Sequence, residues 1–556
     1  MSVSMPLIRR WRLFLLLSAI GIAHPVSAQD AFDQTEELDR ASAEEQRSDS
    51  ADQSPRVRTG QTSRVAQTQA NEERLTIGSI IIDGNEALPD SHFVDLIERY
   101  TSRPLAQSDL AELADAIARR ARDAGYVFAT ASIPPQGLSL GILRVELDEG
   151  RVDTIRIEGA DEPAIRRQLA PLAAGKPVTR AELERHILLA DDISGVRILD
   201  SRFEREGDTG VLIVRARRSH AYAAVELSND GSEPVGPIRG RISVDLNGLL
   251  ASADEVDLSF GTTPLQPSEL QFARASYRIV VDASGLELGA HLSYSSTDPG
   301  DFLTDRDIEG QFWRAGIEAS YPLLRSRNAS VWVIGEFEVT DLRQDRAGTL
   351  ARRDRVPVVR GGIYTRGRLA GGNYRGRFTV SRGLSILSAT RPGDPLASRL
   401  DASTNFTSFY GWASWDRQIS GPLSIALAAR GQLATDPVLA TEDIGLGGPS
   451  FLRGYNFNER AGDRGIMGYG ELRYDIRGKG FWLPRAQVYA YADGGVVSNL
   501  EDGLGGGSLA SAGGGVRLDL TRDLDLGVEV AVPLSGPRFD SDSDGPLVNL
   551  RVQQSF

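Results

Sequence analysis

Cysteine is absent from all 556 residues, which excludes disulfides, thiolate metal sites and cysteine nucleophiles. Methionine occurs 3 times and histidine 5 times, and the histidines are scattered rather than grouped at ligand spacing. No G-x-S-x-G elbow, phosphate-cradling glycine loop or metal-ligand cluster is present. The chain therefore reads as one without catalytic centre, metal or cofactor. It also lacks an internal run of about 18 uncharged apolar residues, the length that a spanning helix needs. Positive charge is outweighed, with Lys+Arg at 62 against Asp+Glu at 76 and a net charge of −14. A nucleic-acid partner would require a basic surface to meet phosphate, so none is expected.

What is present begins with a targeting pattern. Arg9, Arg10 and Arg12 form a basic segment, Leu13 to Ala23 an apolar one, and Val26-Ser27-Ala28 a small-residue cleavage site. This is the arrangement of a signal peptide over residues 1–28, and its apolar stretch is too short to span a bilayer. Residues 29–74 are a polar leader, whose composition cannot bury enough surface to order itself alone. Within it, Ala31 to Arg47 has the make-up of a polar helix and reads equally as a plain disordered leader.

From Leu75 the pattern becomes globular. Ile77 to Ile82 reads as a strand, Asp83-Gly84-Asn85 as a turn and Ser91 to Arg99 as a short helix. Ser108 is expected to cap a longer helix with Leu110, Leu113, Ala114, Ile117 and Ala121 on one face, ended by Gly125. Strands follow at Ala129–Ile133 and Ile142–Glu149. The βααββ order then repeats: Gly159 matches Gly84, Gly195 matches Gly125, and Lys176-Pro177-Val178 echoes Arg103-Pro104-Leu105. Thr179 with Glu182 forms a capping box in the repeat, and its closing strands lie at Arg197–Phe203 and Val211–Arg217. Two tandem modules, 75–150 and 151–218, are expected.

After Ser219 the helical period gives way to alternation. In Gly465–Arg477, Ile466, Leu472, Tyr474 and Ile476 share a face with Gly468 and Gly470, opposite Met467, Tyr469, Glu471, Arg473 and Asp475. In 523–532, Leu524, Leu526, Val528, Val530 and Val532 oppose Asp523, Asp525, Gly527 and Glu529. Soluble antiparallel sheets alternate too. Here, however, many segments are ten to fifteen residues long, glycine and both signs of charge fill the polar faces, and short turns alternate with long loops. Those features describe a transmembrane β-barrel with a wet interior over residues 219–556. Segmentation gives sixteen strands starting near 219, 238, 254, 270, 284, 309, 327, 355, 371, 402, 420, 464, 484, 508, 523 and 547. The last carries Val548, Leu550, Val552 and the terminal Phe556 on one face.

Two stretches stand out inside the barrel. Residues 435–463 lack alternation, join the eleventh and twelfth strands as the sixth external loop, and contain Phe451-Leu452-Arg453-Gly454-Tyr455. On the thirteenth strand, Tyr491-Ala492-Asp493-Gly494-Gly495 places Tyr491, Asp493 and Gly495 on the polar face, away from lipid, where a carboxylate is costly.

An arginine-glycine-aromatic loop motif, an aromatic-x-Asp-x-Gly strand and upstream βααββ modules resemble the outer-membrane assembly and secretion superfamily, whose modules are called polypeptide-transport-associated (POTRA) domains. Two such modules on sixteen strands are similar to the two-partner (type V) secretion transporters, which export filamentous haemagglutinins and haemolysins. Gly125-Tyr126, Ile133-Pro134 with Gln136, Glu149-Gly150 and Asn229-Asp230-Gly231 extend the match. The resemblance implies an outer-membrane pore of a Gram-negative bacterium, with its modules in the periplasm. It implies an unfolded secreted exoprotein as substrate, contact with outer-membrane lipid, and insertion by the barrel-assembly machinery. It further implies that the sixth loop folds back into the barrel and that Arg453 pairs with Asp493, flanked by Leu452, Gly454, Tyr455, Tyr491 and Gly495. Leu452 stands where valine is commoner. Residues 31–47 would correspond to a plug helix. The shorter module strands, Ala129–Ile133 and Arg197–Phe203, are the candidate substrate edges, with bracing under the barrel as the alternative role. A barrel-assembly factor of the same superfamily is the runner-up, although such factors usually carry more modules. A porin would need neither modules nor a tethered loop.

Overall fold

The computed structural model describes residues 76–556 except 102, 138–140, 479–484 and 502, together with two short leader strands, β1 (Arg56–Arg58) and β2 (Arg64–Val65). The signal peptide and residues 31–47, read either as a polar helix or as a disordered leader, lie outside the described residues.

The first α/β module runs β3 (Ser79–Asp83), α1 (Val94–Thr101), α2 (Gln107–Asp123), β4 (Thr130–Ile133) and β5 (Ile142–Asp148). Apolar residues recurring at helical spacing put Leu110, Leu113, Ala114, Ile117 and Ala121 of α2 into the core against Leu143, Val145 and Leu147 of β5. Ser108 does not cap this helix. It lies inside the first turn, because Asp109 reaches back to accept the Ala106 N–H at 2.7 Å and so fixes the N-cap at Ala106, before Ser108. Glu149 is buried and accepts the N–H groups of Ala87 and Leu88 at 2.7 and 2.8 Å, which ties the end of β5 to the loop after β3.

The second module runs β6 (Thr154–Gly159), α3 (Pro163–Leu169), α4 (Arg180–Asp191), β7 (Val196–Glu206) and β8 (Thr209–Arg218). The Thr179–Glu182 capping box is formed at the start of α4, with Glu182 N–H donating to the threonine hydroxyl. Gly84 and Gly159 occupy equivalent positions, with φ of +89° and +91°. A Cβ on either would meet a carbonyl oxygen of the adjoining strand at 2.3 Å, so neither site tolerates a side chain. Each sheet has its first and third module strands parallel and its last two antiparallel.

Sixteen antiparallel strands then close into a barrel, from Ala221–Ser228 to Leu547–Ser555. The observed starts lie within six residues of the expected ones. The widest gap is at the eighth strand, which begins at Thr349. Its first residues carry Arg352, Arg353, Asp354 and Arg355, and that run of charge conceals alternation. Ile466, Leu472, Tyr474, Val488, Val496, Val548 and Leu550 face outward and are exposed, whereas Met467, Glu471, Tyr489, Tyr491 and Asp493 face inward and are buried. The outward set forms a lipid-facing band and the inward set a polar lumen.

The second module is docked to the periplasmic rim. Asp192, at the end of α4, accepts bonds from both Nε and Nη2 of Arg325 at 2.6 and 2.7 Å. Gln168 and Arg185 donate to the carbonyls of Asp282 and Ser284 in the turn between the fourth and fifth strands. Arg325 is itself buried, and among the described residues Asp192→Ala would leave its guanidinium with only the Ser330 hydroxyl as hydrogen-bond acceptor. Removing one partner of a buried pair costs about 3–5 kcal/mol, less where one partner is partly exposed, as Asp192 is. Asp192→Ala should therefore accelerate hydrogen exchange across α4 while leaving a heat-modifiable barrel, and unchanged exchange in α4 would remove this pair from the docking.

Candidate functional site

The sixth external loop connects the eleventh strand, Leu423–Ala434, to the twelfth, Arg464–Arg477. It is not structureless. Ile444–Leu446 pairs antiparallel with Arg460–Gly462, and the hairpin so formed turns back into the lumen. Its apolar residues explain why it enters: Ile444, Leu446, Phe451, Leu452 and Tyr455 pack with Met467, Val497 and Leu509 of the inner wall. Burying a side chain of this size contributes roughly 1.5–3 kcal/mol. Leu452 is buried and sits at φ +60°, a conformation uncommon for a residue with a side chain, and it turns the backbone so that Arg453 faces the wall.

Arg453 carries the polar contact. Its Nη1 lies 2.9 Å from Glu471 on the twelfth strand and 3.0 Å from Glu529 on the fifteenth, Leu524–Pro533. The guanidinium stacks 3.8 Å from the centre of the Tyr491 ring and 4.9 Å from that of Tyr469. The expected ion pair with Asp493, on the thirteenth strand Arg485–Ser498, is long, with Nε to Oδ2 at 4.0 Å. Asp493 is buried and points inward. It accepts the Arg453 backbone N–H at 3.2 Å and the Ser511 hydroxyl, so it holds the loop backbone rather than the guanidinium. Arg453 reaches past it because Glu471, on the neighbouring twelfth strand, and Glu529, two strands away on the fifteenth, present their carboxylates at the end of the extended side chain.

Gly454 completes the seat. Its N–H donates to Ser511 Oγ at 3.1 Å, and a Cβ would meet Pro533 N, Ser511 Cβ and the Val532 carbonyl carbon at 2.9 Å each. The Tyr455 hydroxyl accepts the Ser535 N–H at 2.8 Å and donates to the Gly536 carbonyl at 3.3 Å, which binds the tip to the eighth external loop. Gly495 gives Leu446 room, since a Cβ there would lie 2.7 Å from the leucine Cδ2.

Around Arg453 the charges balance. Glu471 also bonds to Arg473 at 2.6 Å and to Arg517 at 2.8 Å, while Glu529 accepts the Tyr489 hydroxyl at 2.8 Å. Sequence reasoning does not single out Glu471, Glu529 or Ser511. The usable signal is register: Glu471 pairs with Tyr491 of the thirteenth strand, and Glu529 with Gly515 of the fourteenth, which in turn pairs with Tyr489, so both acids project into the lumen around the two tyrosines. Gly513 and Gly515 carry no Cβ because Tyr491 and Tyr489 lie over them, with hydroxyls 2.6 and 2.7 Å from where those atoms would be.

The family model described as haemolysin secretion/activation protein ShlB/FhaC/HecB matches residues 207–518, more than half of the chain. The chain belongs to this family. A ShlB-type POTRA domain model matches residues 75–150. The heme/hemopexin transporter protein HuxB of Haemophilus influenzae is 22% identical over 84% of this chain and 85% of that protein. The outer membrane transporter CdiB of Escherichia coli is 23% identical over 80% of this chain and 76% of that protein. In fold, CdiB from Escherichia coli superimposes with a TM-score of 0.75 at 19% identity, covering 95% of this chain and 98% of that one. CdiB from Acinetobacter baumannii follows with 0.68 at 15%, covering 95% and 99%. The protein is thus an outer-membrane β-barrel transporter for two-partner secretion, with an N-terminal POTRA region in the periplasm.

Proposed function

We propose that this transporter takes up one large, unfolded exoprotein of haemolysin or adhesin type and passes it between the seated sixth loop and the opposite wall of the barrel. One observation carries the reading: the loop hairpin is folded into the lumen and anchored at its tip by Arg453, Gly454 and Tyr455, while the facing wall stays polar. Glu226, Arg241, Arg274, Arg278 and Arg377 line the same cavity as Phe451 and Arg453 of the loop. A hydrated, mixed-charge surface offers an extended chain no sticky apolar patch, so the polypeptide can slide.

In this reading Arg453 and Asp493 fix the hairpin together, the first through its guanidinium and the second through the loop backbone. Leu452, Gly454, Tyr455, Tyr491 and Gly495 shape the seat. Both α/β modules act as POTRA domains, since they share element order and matching glycines, and their edges receive the exported chain by strand addition. Residues 1–28 direct export of the transporter itself, and the barrel-assembly machinery inserts it beside outer-membrane lipid. The chain carries no catalytic step, and folding of the exoprotein outside the cell draws transport outward.

Deleting the gene and comparing secreted and outer-membrane proteins tests the reading. Loss of one large secreted protein from the medium, with other barrels at normal level, is the expected result. A general fall in outer-membrane barrels would point to an assembly factor instead.

A further inference from the structure

β4 would be the edge strand of the first module's sheet and β7 that of the second, were it not for the leader. β2 pairs in parallel with β4 through Arg64↔Ser132 and Val65↔Ile133, and β1 pairs in parallel with β7 through Arg56↔Asp200, Val57↔Ser201 and Arg58↔Arg202. The leader thus covers the equivalent edge of both modules, in the same orientation, with only residues 59–63 between its two strands. A chain of that length reaches at most about 20 Å, so the two edges lie close together.

Packing holds them there. The rings of Phe128, just before β4, and Phe203, on β7, stack with centroids 4.3 Å apart at 15°. Val127 and Phe128 belong to the second module's apolar core, and Asp148 at the end of β5 is ion-paired with Arg205 of β7. Gly150 permits the approach, because a Cβ there would lie 2.5 Å from that of Phe128. The two edges therefore form one composite strand-addition surface.

We infer that the leader strands 56–58 and 64–65 are intramolecular occupants of this composite edge, and that an extended partner segment binds it in parallel orientation only by displacing them. This rests on the reading that the modules receive the exported chain. An open edge is a hazard in an exported protein, because unpaired N–H and C=O groups template association, and the leader covers them. The cover is built to yield. It pairs over three residues on β7, which is 11 residues long, and over two on β4. A partner pairing along more of β7 gains main-chain bonds that the leader does not make, which outweighs the leader's advantage of being tethered.

The test uses the full chain in detergent micelles and a fluorescent peptide of this chain's own residues 54–67 as probe. Prolines at two successive positions of a strand remove whichever N–H faces its neighbour, so Val57→Pro, Arg58→Pro, Arg64→Pro and Val65→Pro together abolish both pairings. The variant should bind the peptide at least tenfold tighter than the unaltered protein. Amides of β4 and β7 should exchange faster in the variant and regain protection with saturating peptide, while β5 and β8 stay unchanged as proof of fold. Equal binding by the two proteins, or edge amides indifferent to the prolines, would overturn the inference. Because neither readout involves the exoprotein or the pore, such a failure leaves the secretion reading intact, and a failure of that reading would appear only in export.

Discussion

Export of the partner protein should fall to background in an Arg453→Ala variant that still reaches the outer membrane as a heat-modifiable barrel. The arginine is buried and contributes the cation nearest Glu529, which otherwise accepts bonds from the hydroxyls of Tyr489 and Tyr491. Glu471 keeps Arg473 and Arg517. The loss therefore concentrates on one carboxylate and on the stacked face of Tyr491. Removing one partner from a buried pair costs about 3–5 kcal/mol, and each 1.4 kcal/mol is a factor of ten in population, so the seated hairpin should become roughly a hundredfold rarer or more. Apolar packing by Leu446, Phe451 and Leu452 remains, so the loop is expected to wander within the lumen rather than leave it. A wandering hairpin obstructs the path along the polar wall. Arg453→Lys keeps the charge but gives up the planar stack on Tyr491, and should export at an intermediate level. Export is the measurement, with single-channel conductance as the second readout, where more frequent and noisier openings are expected. Normal export by Arg453→Ala would remove the loop anchor from the mechanism.

Much of this site is legible in the amino-acid sequence, and the part that is not has a definite physical cause. Alternation locates the barrel strands because each has one face in lipid and the other toward the polar lumen, a contrast that Leu472 and Arg473 express in adjacent residues. It fades at the eighth strand, whose first residues are polar on both faces. The loop motif is visible as Arg453-Gly454-Tyr455, and the inward aim of Asp493 follows from its place in the alternating run. The arginine's closest acids are hidden, because Glu471 and Glu529 lie 18 and 76 residues away and meet it only through strand register. A shift of one residue at either seam would turn those carboxylates toward lipid. The leader strands escape sequence reasoning for another reason. Three residues of backbone pairing leave no periodic trace in a polar segment, so nothing marks Arg56–Arg58 as structured.

Gly454 should prove as sensitive as Arg453, and by a route that involves no charge. A methyl group in place of its hydrogen would lie 2.9 Å from Pro533 N and from the Val532 carbonyl carbon. Those atoms belong to the wall of a closed barrel, where Val532 pairs with Ala512 and Pro533 with Ser511, so they cannot retreat without shifting two strands. The loop must move instead. Doing so breaks the Gly454 N–H bond to Ser511 and carries Arg453 away from Glu471 and Glu529. Overpacking of this kind costs typically about 1–3 kcal/mol for one added carbon and more for a branched side chain. Gly454→Ala should therefore reduce export severalfold, and Gly454→Val should match the loss expected of Arg453→Ala, although every charge is retained. Gly411→Ala serves as the control, since a Cβ at that barrel glycine meets nothing within 4 Å. Salt separates the two routes. High ionic strength weakens an electrostatic contact that has become exposed but leaves a steric one unchanged, so residual export should depend on salt in Arg453→Lys and not in Gly454→Ala. Full export by Gly454→Val would mean that the loop tip works without touching the wall, and the seat described by Ser511, Val532 and Pro533 would then have no part in transport.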